Sequence, residues 1–388
     1  MNRVLAGLDE VMSQPPSFLA GRRLGLLTNP TGLNRDLISS VDLFASHPEL
    51  DLRALYGPEH GVRGDAQAGD HVDTVTDART GLPVMSLYGE TRTPTPAMLH
   101  EIDTMVIDLQ DIGVRYATYL SSIANVLQGC AVADVDVVVL DRPNPLGGDL
   151  VGGQILDPTF ASFIGLPGLP VLHGLTVGEF ARWWTTAQDL PAPTVIPMRG
   201  WRRSMWFDDT SLPWVLPSPN LPTLDSVTCY PATCLIEGTN LSEGRGTTRP
   251  FECLGAPWID PERIAGALNA LNLPGVRFRG TWFAPWISKH RDETCGGVQL
   301  YVKDRYRWDP ITTGCGILAT IHRHYPDQFV WVESTEGGMF IDLLAGTDRL
   351  RWCIDDDLDL TEFLERGRNE ALVFAENRRQ WLLEDYAE

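Results

Sequence analysis

Along the first half of the chain, apolar and polar positions repeat one unit: a short β-rich apolar run, a polar segment with Gly or Pro, then an amphipathic stretch. Residues 23–27 run into Thr28, Asn29, Pro30, Thr31 and Gly32, and residues 52–56 into Gly57, Pro58, Glu59, His60 and Gly61. Residues 105–109 lead to Asp111, Gly113 and Arg115, and residues 135–140 to Asp141, Arg142, Pro143 and Asn144. Stretches 37–45 and 119–130 read as crossover helices. The nearly continuous apolar run at 135–140 suits a strand covered on both faces. This rhythm predicts an α/β fold around a parallel sheet.

The pattern then changes. Residues 152–222 are rich in Pro and Gly, with one helix expected at 177–187 behind a Thr176 cap and Glu179. Helices are expected at 261–271, 314–324 and 361–383, with an alternating strand at 297–303. The division expected is residues 1–225 as the sheet domain and 226–388 as a smaller α+β domain, with a cleft between them. Ligands of open α/β sheets bind outside the carboxyl ends of the strands. Asx and Gly-Pro turns end strands for purely structural reasons, but four successive loops carrying reactive side chains point to one shared site.

Composition narrows the function. With 31 Lys+Arg against 51 Asp+Glu, the net charge of -20 repels phosphate backbones and anionic lipid, so neither nucleic acid nor membrane is expected as a partner. Seven cysteines form no Cys-x-x-Cys pair, which fits a reducing compartment. No signal-peptide pattern opens the sequence and no run of about 18 apolar residues occurs, so a cytoplasmic protein is expected. Cys315, His322 and His324 fall on one expected helix in directions that do not converge, so no metal site is expected there. Walker, dinucleotide and Gly-x-Ser-x-Gly fingerprints are missing, and no cofactor is expected.

Two segments carry the candidate chemistry. Glu59 and His60 sit in Gly57-Pro58-Glu59-His60-Gly61-Val62-Arg63-Gly64, directly after an expected strand. An acid held against the low-dielectric edge of a sheet can be made to donate a proton at neutral pH. The bland alternative is a Glu59–Arg63 ion pair. Residues 237–249 gather Glu237, Asn240, Glu243, Arg245 and Arg249 among glycines and hydroxyls. That mixture matches the hydroxyls and amides of a sugar, with Arg245 or Arg249 able to grip a carboxylate; a solvated or interface loop is the alternative. Asp108, Asp111 and Arg115 with Tyr116 and Tyr119 form a third group, and Asp141, Arg142 and Asn144 a fourth. Paired with Arg, these acids are expected to be ionised organisers.

LLTNPTG at 26–32, YGPEHGVRG at 56–64, DLQDIGVRYATY at 108–119, LDRPNPLGG at 140–148, SPNLP at 218–222 and IEGTNLSEGRGTTRPFE at 236–252 resemble the DUF1343 family, which includes exo-β-N-acetylmuramidases of the NamZ type. The resemblance runs in order from about residue 4 to the end. It implies a Rossmann-like domain, a smaller C-terminal domain, and hydrolysis of a terminal non-reducing β-1,4-linked N-acetylmuramic acid from peptidoglycan fragments, a small saccharide substrate. It implies Glu59 as general acid with His60 tuning it, and Glu237 or Glu243 as second carboxylate. For the lactyl carboxylate, the N-acetyl group and the sugar face, Arg63, Arg115, Arg245, Asn220, Asn240, Tyr119 and Trp286 are available, with Asp111, Asp141, Arg142 and Asn144 as further binding candidates. Two other readings are a non-catalytic amino-sugar-binding protein and a metal-assisted hydrolase built on Asp108, Asp111 and Asp141.

Overall fold

The computed structural model describes residues 3–64, 75–89, 91–335 and 337–387. The chain lays down β1 (Arg23–Thr28), β2 (Asp51–Gly57), β3 (Val75–Thr76), β4 (Pro83–Ser86), β5 (Thr104–Asp108) and β6 (Asp136–Leu140). Two short strands, β7 (Gly152–Ile155) and β8 (Pro170–Leu172), pair with each other before β9 (Thr194–Ile196) completes the sheet. Among the described residues that sheet has seven strands in the order β3-β4-β2-β1-β5-β6-β9. All neighbours are parallel except β3 with β4.

The two faces follow from the side-chain period of two in a strand. Leu27, Tyr56, Met105 and Ile107 meet Ile123 and Leu127 of the Tyr119–Val132 helix and Phe180 of the Val177–Ala187 helix. Leu24, Leu26, Leu55, Val106 and Val138 face the other way, onto Leu8, Val11, Val41 and Phe44. The chain leaves β1 toward β2 and β4, then returns to β5 on β1's other side, so the loops after β1 and β5 part there and open a crevice at the carboxyl edge.

The second half carries a three-stranded antiparallel sheet, β10 (Cys253–Ala256), β12 (Cys295–Val302) and β11 (Val276–Phe283) in that spatial order. Leu254, Phe278, Val298 and Leu300 pack on Ile264, Leu268, Ile317 and Ile321 of its helices, and the same core takes in Ile112, Val114 and Tyr116 from the first half. The two halves are therefore welded through a common apolar layer.

The four strands read from the pattern lie within a residue of their expected ends, and 297–303 appears as Cys295–Val302. The helix expected at 37–45 starts at Ser40: Leu37 has φ +62°, the Asn34 side chain holds the Ile38 N–H, and Ser39 caps the helix through the Val41 N–H. The helix expected at 314–324 starts at Pro310, where Asp309 caps the Thr312 N–H. The helix expected to 383 ends at Asn377, because Arg378 turns inward. Strands 75–76, 83–86, 152–155, 170–172, 194–196 and 253–256 were not legible, being short and defined only by pairing to a neighbour, and the eight-residue strand 276–283 was missed as well. Among the described residues no helix is long and apolar enough to cross a membrane.

Two buried guanidinium groups tie later chain to earlier chain. Arg115 donates to the carbonyls of Gln154 (2.7 Å), Leu169 (3.0 Å) and Leu344 (2.9 Å). Arg378 donates to the carbonyls of His173 (2.9 Å) and Gly148 (2.7 Å) and also to Gly174. Burial draws the pKa of each down to about 10. Removing such a side chain strands buried acceptors and leaves a cavity. Arg115→Ala is expected to lower unfolding free energy by about 3–5 kcal/mol, read as a lower urea midpoint at unchanged slope; a midpoint equal to wild type would show that Leu344 and Gln154 need no such anchor.

Candidate active site

An opening runs along the seam between the halves, with a cavity of about 280 Å³, near the lower end of the size of small-molecule sites. Glu59, His60, Tyr88, Arg92, Thr118, Tyr119, Phe163 and Ser218 line it from the first half of the chain. Tyr230, Glu237, Arg245, Phe251 and Ser334 line it from the second.

Glu59 stands two residues beyond the end of β2. The Pro58–Gly61 turn, closed by the Gly61 N–H on the Pro58 carbonyl (2.9 Å), takes His60 into the left-handed region at φ +73°. Such a conformation is uncommon for a residue with a Cβ, and it persists where the surroundings dictate it. It buries the imidazole beside the cleft and directs Glu59 into it. The Thr118 hydroxyl donates to Glu59 Oε2 at 2.7 Å. Thr118 is also the N-cap of the Tyr119–Val132 helix, yet its side chain caps no helix N–H. Thr118 thus gives up a cap worth about 1 kcal/mol to hold a carboxylate. Burial, with Glu59 as its hydrogen-bond partner and neighbour, pushes the Tyr88 phenol up to about 12.

In the second half Glu237 comes from the Cys234–Gly238 turn. Its Oε1 accepts from Arg245 Nε (2.8 Å) and Nη2 (2.5 Å), and Arg245 Nε lies 3.2 Å from Glu243 Oε1. Glu243 is buried behind Arg245, with Lys289 Nζ at 3.0 Å from Oε2. Lys289 also donates to the carbonyls of Ile236 (3.2 Å), Thr239 (2.8 Å) and Leu241 (2.8 Å). Burial draws Arg245 down, but the two carboxylates outweigh it and hold the guanidinium firmly charged. Both of the nearest carboxylates to Arg245 thus belong to the protein itself. Arg245 is set to hold Glu237 rather than an anionic ligand.

Of the residues expected at a site, Glu59, His60, Tyr119, Glu237 and Arg245 line this cleft, with Glu243 directly behind. The others are placed elsewhere. Arg63 grips Asp77 with Nε (2.9 Å) and Nη2 (3.0 Å) and reaches Asp42. Arg115 is buried among carbonyls. Asn144 joins the Leu175 carbonyl (3.1 Å) to the Leu146 N–H (3.0 Å), and Asn240 joins the Gln328 carbonyl (2.8 Å) to the Val330 N–H (3.0 Å). Asn220 is buried in the turn after Ser218, and Arg249 pairs with Glu252 at 3.2 Å. Trp286 is 63% exposed and lies outside the cleft lining.

The expected Asp–Arg pairs exchange partners. Arg142 Nε binds Asp108 Oδ1 (2.6 Å) rather than Asp141. Asp141 instead accepts from Tyr386 Oη (2.5 Å), Thr176 Oγ1 (2.7 Å) and the Gly178 N–H (2.8 Å), and burial raises its pKa to about 6. Asp111 accepts from the Gly113 N–H (2.7 Å), lies 3.8 Å from His173 Nε2 and pairs with no arginine among the described residues; burial raises it to about 7. Neither acid pairs with the arginine expected for it, and desolvation outweighs their hydrogen bonds, holding both carboxyls above the usual carboxylate range. Asp108, Asp111 and Asp141 face different partners, and among the described residues no three His, Cys, Asp or Glu converge as metal ligands. Tyr88, Arg92, Thr118, Phe163, Tyr230 and Lys289 were not singled out from the sequence as site residues, since no motif spacing connects them to Glu59 or Glu237.

Two family models match the chain: "Exo-beta-N-acetylmuramidase NamZ, N-terminal" over residues 24–225 and "Exo-beta-N-acetylmuramidase NamZ, C-terminal" over residues 228–383. The chain is 46% identical over 382 residues to the peptidoglycan beta-N-acetylmuramidase NamZ of Bacillus subtilis (strain 168), covering 98% of this chain and 91% of that one. A crystal structure of a DUF1343 family protein from Bacteroides fragilis matches with TM-score 0.90 and 35% identity over 98% of this chain and 99% of that chain. A second DUF1343 protein from the same organism matches with TM-score 0.79 and 30% identity over the whole of both chains.

The raised acid at Asp111 has a consequence for stability. Its folded pKa of about 7 lies above the usual carboxylate range, so between about pH 4 and 7 the folded state binds more protons than the unfolded state. Stability therefore falls as pH rises through that window, and the penalty is absent below it. Unfolding free energies of wild type and Asp111→Asn from pH 5 to 8 are expected to shift in the variant's favour by up to about 1.4 kcal/mol per pH unit, levelling off near pH 7; parallel curves would show that Asp111 is not shifted.

Proposed function

Because the chain belongs to the NamZ family of exo-β-N-acetylmuramidases, we propose that its cleft cleaves the β-1,4 bond of a terminal, non-reducing N-acetylmuramic acid on peptidoglycan fragments, with Glu59 as general acid. The observation that carries this reading is that two carboxylates, Glu59 from the first half of the chain and Glu237 from the second, line one cleft. Glycoside hydrolysis needs one acid to protonate the leaving oxygen and one carboxylate to answer positive charge at the anomeric carbon.

In this mechanism Glu59 gives its proton to the glycosidic oxygen as the bond to the anomeric carbon breaks, and Thr118 and Tyr88 keep that carboxyl in line. His60 orients the turn that carries it. Glu237 faces the opposite side of the sugar and serves as second carboxylate, while Glu243 and Lys289 hold Arg245 and the Glu237 turn in place. Tyr119 lines the cleft beside Glu59 as the aromatic candidate for the pyranose face. A gap of about 5 Å between the carboxylates suits direct attack on the anomeric carbon, and about 6.5–9.5 Å leaves room for water; the anomer released first, read by proton NMR, decides between them. The residues at 1–225 and 226–388 are read as the two domains that supply the two walls. The scattered cysteines favour a cytoplasmic setting.

Glu59→Gln is expected to reduce release of N-acetylmuramic acid from a MurNAc-GlcNAc disaccharide by about 100-fold or more, the usual contribution of general acid catalysis, with an unchanged melting temperature. Activity within about tenfold of wild type would remove Glu59 from the acid role. Turnover of only a β-GlcNAc chromogenic glycoside would make the enzyme a glucosaminidase, and binding without cleavage would make it a sugar-binding protein. Activity abolished by EDTA and restored by a divalent metal would favour metal-assisted hydrolysis.

A further inference from the structure

The muramidase reading leaves open what receives the substrate beyond its terminal sugar, and the inference drawn here rests on that reading. A cavity of about 280 Å³, at the small end for ligand sites, suits one substituted sugar rather than a chain of them. An enzyme that releases a single terminal residue must therefore lead the rest of the fragment out past the edge of its cleft. All of that remainder lies on the leaving-group side of the scissile bond. It offers neutral rings with apolar faces, and a flat aromatic side chain matches such a face.

Trp286 stands beside the cleft rather than in it. Its N–H donates to the carbonyl of Gly246 (3.0 Å), the residue after the cleft-lining Arg245. The two segments touch closely: Gly246 has φ +75°, and a Cβ there would fall 2.6 Å from Ile287 N and 2.9 Å from Trp286 N. The loop that carries Trp286 is pinned along its length. Lys289 donates to the carbonyls of Ile236, Thr239 and Leu241 and lies 3.0 Å from the Glu243 carboxylate. His290 Nε2 is 2.7 Å from the Asn240 carbonyl oxygen, and the Asp292 N–H closes on the Pro285 carbonyl at 2.8 Å. Ser288, His290 and Asp292 all take left-handed φ values, +67°, +55° and +63°. Three such residues in one loop persist because those anchors dictate the backbone. What the loop presents is an indole 63% exposed. A lone exposed tryptophan on a mobile loop would mean little. On a backbone already fixed next to the cleft, it can take a sugar ring with little further loss of freedom.

We propose that Trp286 is the platform for the leaving-group side of the substrate, its indole stacked on a pyranose ring beyond the terminal N-acetylmuramic acid. The ligand it takes is a neutral glycan segment of one sugar or more. Lys289 and His290 are positioning residues: they set the loop and touch no substrate atom.

The test follows release of N-acetylmuramic acid from the MurNAc-GlcNAc disaccharide and from the tetrasaccharide that repeats it once, with free N-acetylmuramic acid as competitor for the terminal position. Trp286→Ala is expected to raise KM roughly 10-fold, the loss of one aromatic stacking contact with its buried face. The melting temperature and the Ki of free N-acetylmuramic acid are expected to stay at wild-type values, with kcat within about threefold. Trp286→Tyr, which keeps a flat ring, is expected to regain most of the loss, and Trp286→Leu, apolar but not flat, little of it. A rise confined to the tetrasaccharide would support the proposal and place the stacked ring further along the chain. KM values within about twofold of wild type for both saccharides would overturn it, as would a Ki for free N-acetylmuramic acid that rises in step with KM, which would put the indole at the terminal sugar. A wild type that releases no N-acetylmuramic acid from either saccharide would overturn the muramidase reading and this inference with it, whereas wild type and Trp286→Ala enzymes that cleave both alike would overturn this inference alone.

Discussion

Irregular chain buried between two halves presents carbonyl groups that no helix or strand ladder can satisfy, and each such group left unpaired is costly. In this protein cations answer them. Arg115 reaches carbonyls on either side of the β7–β8 pair and on the Phe340–Ala345 helix, Arg378 reaches Gly148 and the turn after β8, and Lys289 sits among the carbonyls of residues 236–241. The shape of the cleft depends on this. Its second wall is loop and short turn, and without a central positive charge the Glu237 turn and the glycine-rich segment after it would have nothing to close on.

The same arrangement explains how a strongly acidic chain can bring several carboxylates together. Glu237 and Glu243 are each matched by a cation at hydrogen-bonding distance, and Glu59 in the same cleft is held by a neutral hydroxyl. The sheet supplies rigidity on one wall: β2 and the Tyr119–Val132 helix, both packed on the central strands, fix the two ends of the Glu59–Thr118 contact. The other wall borrows its rigidity from ion pairs. One wall is thus set by hydrophobic packing and the other by electrostatics.

This difference also decides what could be read from the sequence. Strands β1, β2, β5 and β6 and the helices between them were legible because apolar period follows directly from burial, and the loops after those strands were rightly placed at one edge of the sheet. Glu59 stood out because Pro58 and Gly61 frame it. What the pattern does not show is where a long side chain points. Arg115 and Arg142 follow strands and sit near Asp111 and Asp141, yet their forks turn to carbonyls and to Asp108. Arg92 carried no motif, and its place in the cleft comes from Phe163, more than seventy residues onward and on a different loop. Partner choice among arginines is a long-range property, and periodicity reports only local ones.

The hydrogen bond from Tyr386 to Asp141 joins the Glu384–Tyr386 turn to the residue that follows β6, with the Met198 N–H donating to the same phenol at 2.9 Å. During synthesis, then, the chain can lay down every strand of the parallel sheet before this last hydrogen bond can form, because residue 386 leaves the ribosome near the end. Before then, among the described residues, Asp141 has only the Thr176 hydroxyl and the Gly178 and Arg142 N–H groups to accept from.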